Sequence, residues 1–329
     1  MPNRRNFLVT LGAGALANSF PAAFPVLAQG TPARVVWVSP TPAADGSPFL
    51  DELRRGLREL NYVEGKNLIL EPYWGDNTPA RLEKIMAEAV ASAPRIIVAQ
   101  GGASLVAKKA TTSIPIVFGY SGDPVEAGLV ESFARPQGNM TGISYLALEL
   151  VGKRIELLKE TIPSAKRIAV VANPSHAGDS AERKASQAAA SKLGLALEYY
   201  EVSNAAQLTD AMAAIEKKRV DAVMMFPVQN IINNRERIAA WSLKNRIPAI
   251  SGWAQFADGG NLMSYGPNLR EASRRLAYYV DRILKGSKPA DLPVELPNQV
   301  EFVVNAKTAK ALGVNIPPAI RVRADRVIE

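Results

Sequence analysis

Two short stretches of this chain carry the residue types that could hold a small molecule. Gln100-Gly101-Gly102-Ala103-Ser104 follows the apolar run Ile96-Ile97-Val98-Ala99, and Tyr120-Ser121-Gly122-Asp123-Pro124 follows Pro115-Ile116-Val117-Phe118-Gly119. Backbone N–H groups at Gly101 and Gly102, opening a helix, would receive a carboxylate at the positive end of the helix dipole. The same pair also fits a plain tight strand-to-helix turn, and both readings stand here. Asp123 could pair with an ammonium or cap a helix starting after Pro124. Covalent chemistry has few candidates. There is no cysteine and a single histidine, His176, so thiol nucleophiles and thiolate zinc sites are excluded and a histidine triad has one candidate. His176 falls in a loop, where we expect no catalytic role. Asp45, Asp123 and Asp258 also fall in loops, so carboxylate chemistry stays open. Outside the first thirty residues there is no GxGxxG, and Walker A, HExxH and GxSxG are absent. The expectation is a protein that is not an enzyme and needs no metal or cofactor.

Those loops need elements to position them. Apolar runs of four residues closed by Gly and Pro read as strands buried on both faces of a parallel sheet, and such sheets bind ligands beyond the carboxyl ends of their strands. The pattern predicts strands over 34–39, 68–74, 96–99, 115–118, 167–171, 195–202, 221–226 and 247–250. Between them fall helices marked by Leu50, Leu53 and Leu57, by Leu82, Ile85 and Met86, by Ile155 and Leu158, and by Leu208, Met212 and Ile215. A helix is also expected over 125–134. Thr78-Pro79, Asn204 and Asn268 with Glu271 read as helix starts. Residues 57–99 and 192–226 run through turn, strand, capped helix and apolar strand in matching order, which implies two similar lobes with a cleft between them. Segments 138–143 and 262–266, and the region near Val300, read as crossings between those lobes.

The chain has 329 residues, 47% of them hydrophobic, ample for two cores. Its formal charge of +8 is scattered over helix surfaces, and Lys217-Lys218-Arg219 falls at a helix end, where the dipole accounts for it. No nucleic-acid partner is expected. Arg4-Arg5-Asn6-Phe7-Leu8 and the uncharged stretch after it resemble a twin-arginine (Tat) export signal, although Asn3 and Val9 depart from the usual pattern. Val26-Leu27-Ala28 offers a cleavage site, so residues 1–28 would be removed and the protein released into the periplasm. Pro21 and Pro25 interrupt the run short of the roughly 20 residues a membrane span needs.

Five segments together resemble a known family. They are Gly56-Leu57-Arg58-Glu59-Leu60-Asn61-Tyr62-Val63-Glu64-Gly65-Lys66-Asn67, Ile114-Pro115-Ile116-Val117-Phe118, Gly138-Asn139-Met140-Thr141-Gly142, Leu262-Met263-Ser264-Tyr265-Gly266-Pro267, and Ile283-Leu284-Lys285-Gly286-Ser287-Lys288-Pro289-Ala290-Asp291-Leu292-Pro293. The chain is similar to ABC-transporter substrate-binding proteins of the periplasmic-binding-protein type I fold, in the group related to tryptophan/tyrosine-import binding proteins. The resemblance implies an α/β fold of two Rossmann-like lobes with parallel sheets, joined by a three-crossing hinge. It also implies capture of a small solute by hinge closure and delivery to a membrane permease. The expected division is lobe 1 over 29–142 plus 265–299 and lobe 2 over 143–264 plus 300–329, in a monomer. Ligand contacts are then expected at strand ends on both lobes. The first supplies Ser39, Gln100, Gly101, Gly102, Ala103, Tyr120, Ser121 and Asp123. The second supplies Asn173, Phe226, Pro227, Trp253 and Gln255, with Tyr265 at a crossing. The glycine loop and the aromatic residues favour a carboxylate, such as an amino acid with a bulky side chain. A ligand-presenting accessory of a sensor would share every feature named, and an enzyme using cleft carboxylates is the more distant alternative.

Overall fold

The computed structural model describes residues 31–146 and 148–329; the expected export signal over 1–28 lies outside them. The chain first lays down β1 (Ala33–Ser39), α1 (Ala43–Glu59), β2 (Leu68–Trp74), α2 (Pro79–Ala91), β3 (Ile96–Gln100), α3 (Ala103–Ala110), β4 (Ile116–Tyr120) and β5 (Met140–Ser144). The strands form one parallel sheet in the order β2-β1-β3-β4-β5. Val35 and Trp37 of β1 pack into one core, and Val36 and Val38 into another on the opposite face. This two-sided burial is what a continuous apolar run dictates in a strand of period two. Leu50, Leu53 and Leu57 of α1 cover the first face. Leu82 and Met86 of α2, with Ala103 and Ala107 of α3, cover the second.

The second unit comprises α4 (Leu148–Thr161), β6 (Arg167–Ala172), α5 (Asp179–Lys192), β7 (Ala196–Glu201), α6 (Ala205–Glu216), β8 (Ala222–Met225), α7 (Gln229–Asn233), α8 (Arg235–Asn245), β9 (Ala249–Ser251), α9 (Ala254–Asp258) and β10 (Met263–Pro267). The chain then runs through α10 (Leu269–Leu284), β11 (Val300–Asn305), α11 (Ala306–Leu312), α12 (Pro318–Arg323) and β12 (Arg326–Ile328). The second sheet is ordered β12-β11-β10-β9-β8-β6-β7. Its β7-β6-β8-β9-β10 portion repeats the order of the first sheet strand for strand. That is the repetition of units expected from the sequence, and it gives two α/β lobes. The second sheet is parallel except between β10 and β11, which run antiparallel.

Helix α10 leaves the second sheet and packs Leu276, Tyr279 and Val280 into the first lobe's core beside α1. The chain therefore passes between sheets after β5, after β10 and before β11. The segments expected to be the crossings are themselves strands. Residues 138–143 lead into buried β5, 262–266 lie largely in β10, and Val300 opens β11. Since β5 extends to Ser144 and β10 to Pro267, boundaries drawn at 142 and 264 fall inside strands. Gly142 explains the misreading. A Cβ there would lie 2.0 Å from the Phe118 carbonyl oxygen, so the glycine serves close strand packing and not a bend.

Two local expectations also differ. Residues 125–134 form turns and no helix, with Gly128 at a φ of 68°. Thr78 precedes α2 but its hydroxyl donates to the Asp76 carbonyl, so it makes no side-chain cap. Asn204 and Asn268 do cap, accepting from Gln207 N and from Arg270 N and Glu271 N.

Candidate functional site

In each lobe the first, third and fourth strands in chain order lead into loops at one edge of the sheet, and the loops of the two lobes line one cavity. The cavity has a volume of about 270 Å³. From the first lobe it is lined by Ser39, Pro40 and Thr41 after β1, by Gln100, Gly101 and Gly102 after β3, and by Tyr120 and Ser121 after β4. From the second it is lined by Asn173, Ser175 and His176 after β6, by residues between Val228 and Arg235 after β8, and by Trp253 and Gln255 after β9. Strand order 2-1-3-4-5 puts its topological switch point between strands one and three, where open sheets take ligands.

Of the residues expected at the site, nine line this cavity: Ser39, Gln100, Gly101, Gly102, Tyr120, Ser121, Asn173, Trp253 and Gln255. Five do not. Ala103 is buried against the first lobe's core under α3. Phe226 is buried in the second lobe's core, and Pro227 packs against Gly252. Tyr265 lies on β10 with its ring edge-on to Phe302, 5.9 Å between centroids, and belongs to the second core. Asp123 accepts from Val125 N at 2.8 Å and Glu126 N at 3.1 Å, which is the capping alternative.

The sequence reading missed Trp37, Phe49, Tyr145, Asn230 and Arg235, assigned His176 no place in the site, and placed Asp45 in a loop, whereas it stands in the first turn of α1 and lines the cavity. Trp37 was hidden inside a strand that reads as core. Asn230 and Arg235 were within reach: α7 follows β8 as α3 follows β3, so the equivalence of the units pointed to residues 229–235.

Side-chain amides set the polarity of the cavity. The Tyr145 hydroxyl donates to Gln100 Oε1 at 3.2 Å, which leaves the Gln100 Nε2 group buried and without a partner. The Asn234 amide donates to Asn230 Oδ1 at 3.2 Å, which leaves Asn230 Nδ2 in the same condition. The indole N–H groups of Trp37 and Trp253, residues 1% and 5% exposed, also lack partners. The unpartnered Nδ1 of His176 joins these four N–H groups, so the cavity wall offers polar atoms of both kinds to a guest.

The lobes touch across the cavity. Ser121 Oγ and His176 Nε2 are 3.1 Å apart, with the Tyr120 and His176 rings 6.2 Å apart. Burial pushes the His176 imidazole below its ordinary pKa, only partly opposed by Asp179, so the ring is neutral at pH 7. Beside it, Gly178 N donates to Glu126 Oε2 at 2.7 Å and Asp123 N to the Ala177 carbonyl at 3.1 Å. Arg235 Nη2 donates to Asp45 Oδ1 at 3.0 Å, a second bridge between the lobes. Both bridges join the two lobes beside the cavity.

Comparison with known proteins bears on this geometry. The family model for ABC transporter substrate binding proteins matches residues 48–328. A tyrosine-binding protein of Clostridioides difficile is 28% identical over 272 residues, covering 80% of this chain and 77% of that protein. A conserved domain protein from Vibrio cholerae superposes with a TM-score of 0.82 at 28% identity, covering 90% of this chain and 99% of its own. An ABC domain from Streptococcus pneumonia, solved in complex with L-Trp, superposes with a TM-score of 0.83 at 22% identity, covering 91% and 100%.

Proposed function

The chain belongs to the ABC transporter substrate binding protein family, and from that premise we propose that its cleft captures a carboxylate with an aromatic or bulky apolar body. The observation that carries this is the set of unpartnered N–H donors of Gln100, Asn230, Trp37 and Trp253 around a cavity with aromatic walls. Trp37, Phe49, Tyr120, Tyr145 and Trp253 supply flat apolar surface, and the amides and indoles supply donors for oxygen. A relative that binds tyrosine and a neighbour that holds L-Trp fit that class of guest. The cavity volume suits a solute of about a dozen heavy atoms.

Capture proceeds by closure. The three passages of chain between the sheets form the hinge, and Ser121–His176 and Asp45–Arg235 meet when the lobes come together. The closed form then docks on a membrane permease. Leader and chain together support export through the twin-arginine route, removal of residues 1–28, and action as a periplasmic monomer. The lobes divide at the chain passages near residues 145–146, 268 and 296–299.

A thermal-shift screen against aromatic acids, amino acids, sugars and nucleosides tests the reading. A ligand binding only the folded state raises the midpoint by about 2.7 kcal/mol of added stability at 100 times its dissociation constant. A shift confined to aromatic carboxylates is the expected result, and a shift confined to sugars or nucleosides overturns it.

A further inference from the structure

Resting on the reading that the cleft holds a carboxylate, we propose that Tyr145 is a positioning residue that acts through Gln100. It fixes the Gln100 amide with its nitrogen toward the solute, so that the site prefers a carboxylate to the corresponding primary amide. Gln100 ends β3, whereas Tyr145 stands just after β5, in the first passage of chain between the lobes. Both line the cavity. The Tyr145 hydroxyl donates to Gln100 Oε1 at 3.2 Å, and the Nε2 at the other end of that amide is buried and has no partner.

The surroundings are shaped for this contact. A Cβ at Gly119 of β4 would lie 2.0 Å from the Tyr145 hydroxyl oxygen and 2.7 Å from Gln100 Oε1. Glycine inside a buried strand gives up packing, and here it makes room for both polar groups. Backbone bonds hold the passage against the end of β4: Tyr145 N donates to the Tyr120 carbonyl at 2.6 Å, and Ser144 Oγ to the Gly122 carbonyl at 3.1 Å. Burial pushes the phenol pKa up, with Ser273 of α10 opposing, so the hydroxyl keeps the proton it donates.

A side-chain amide has an accepting end and a donating end of nearly the same shape, so packing alone does not orient it. The phenol does. Turned by half a rotation, the amide would offer Tyr145 an N–H in place of an acceptor and leave the buried phenol proton unpaired. In the orientation held, Nε2 donates to a carboxylate oxygen of the solute. A primary amide whose nitrogen fell at that point would set donor against donor.

Calorimetry on the purified protein tests this with L-tyrosine, L-tryptophan, para-hydroxyphenylpropionate and indolepropionate, each beside its primary amide. Failure of all four carboxylates overturns the carboxylate reading and the inference with it. For a carboxylate that binds the parent, Tyr145→Phe keeps the ring and removes the hydroxyl. It is expected to weaken that carboxylate ~5-fold or more and to narrow its preference over the amide. An equal loss on acid and amide marks a general loosening and overturns the inference, as does unchanged affinity. Gln100→Leu removes the group being oriented, so adding Tyr145→Phe to it is expected to cause no further loss. Losses that add, or a Gln100→Leu variant that binds like the parent, overturn the inference and leave carboxylate capture standing.

Discussion

His176 shows how a single side chain can serve a site without chemistry. It stands between the lobes, its Nε2 on Ser121 and its ring beside Tyr120. Burial lowers its pKa from 6.5, with Asp179 pulling the other way. The unfolded chain therefore takes up a proton before the folded one does, and stability is lost as pH falls below about 6.5. In His176→Gln that acid-side loss should shrink, seen as a flatter curve of thermal midpoint against pH between about pH 7 and pH 5. A curve identical to that of the parent removes His176 as its source. The residue was legible in the sequence only as an isolated histidine, because its place opposite Ser121 depends on how two lobes face each other and not on local pattern. Ser39, Gln100, Tyr120 and Trp253 were legible because each ends or follows a strand whose apolar run is unmistakable. Asn230 and Arg235 follow a strand just as clearly, but their helix reads as an ordinary polar surface.

At the scale of elements, the fifth strand of each lobe depends on a glycine. Gly142 in β5 would place a Cβ 2.0 Å from the Phe118 carbonyl oxygen, and Gly266 in β10 would place one 1.7 Å from that of Gly252. Both obstacles are backbone, which cannot move aside as a flexible side chain can, and Gly142 also holds a φ of 152°. Gly142→Ala and Gly266→Ala are each expected to cost about 2 to 4 kcal/mol, measured by denaturant titration, from overpacking and strain. An effect within about 0.5 kcal/mol would mean the strands relax apart freely. These two glycines are also why the segments read as crossings: glycine admits both a bend and a close approach, and only the paired strand decides between them.

Helix α5 packs a second titratable group against α4. Glu182 is buried 3.9 Å from Arg154, and burial pushes its carboxyl up to about 7, reinforced by Asp179 and opposed by Arg154. Since the folded value lies above the unfolded one, its contribution is full below about 4.5 and is lost as pH rises toward about 7. Glu182→Gln should remove that loss, so its stability relative to the parent rises across the same window. A constant offset between the two proteins would sink the assignment. The sign is opposite to that of His176, so the two variants separate the two groups.

Over the whole molecule, closure as proposed would draw on the contacts that join the lobes beside the cavity. The Asp45–Arg235 bridge is partly exposed, at 37% and 21% of side-chain surface. Such pairs are worth about 0 to 1 kcal/mol. Asp45→Asn is therefore expected to weaken ligand binding by no more than about fivefold, less at high salt, with a larger radius of gyration in solution scattering. A loss of a hundredfold would place Asp45 on the ligand itself. The two-lobed plan was the most legible feature of all, because repeated strand, helix and turn spacing survives sequence divergence between the units. The antiparallel joint of β10 with β11 was not legible, since strand direction depends on which lobe the chain has just left.

The passage of α10 back to the first lobe has a consequence for the order in which the protein is made. Tyr62 donates to Asp281, 219 residues further along the chain, and α10 fills one face of the first core. At a synthesis rate of about 5 to 20 residues per second, Tyr62 waits roughly 10 to 45 s for the helix that completes the first core. Until then Leu53, Leu57 and their neighbours lack their partner surface, and no truncation after the first sheet leaves a finished lobe. The first core is consequently not a product of its own segment of chain, and a ribosome stalled before α10 holds it half built.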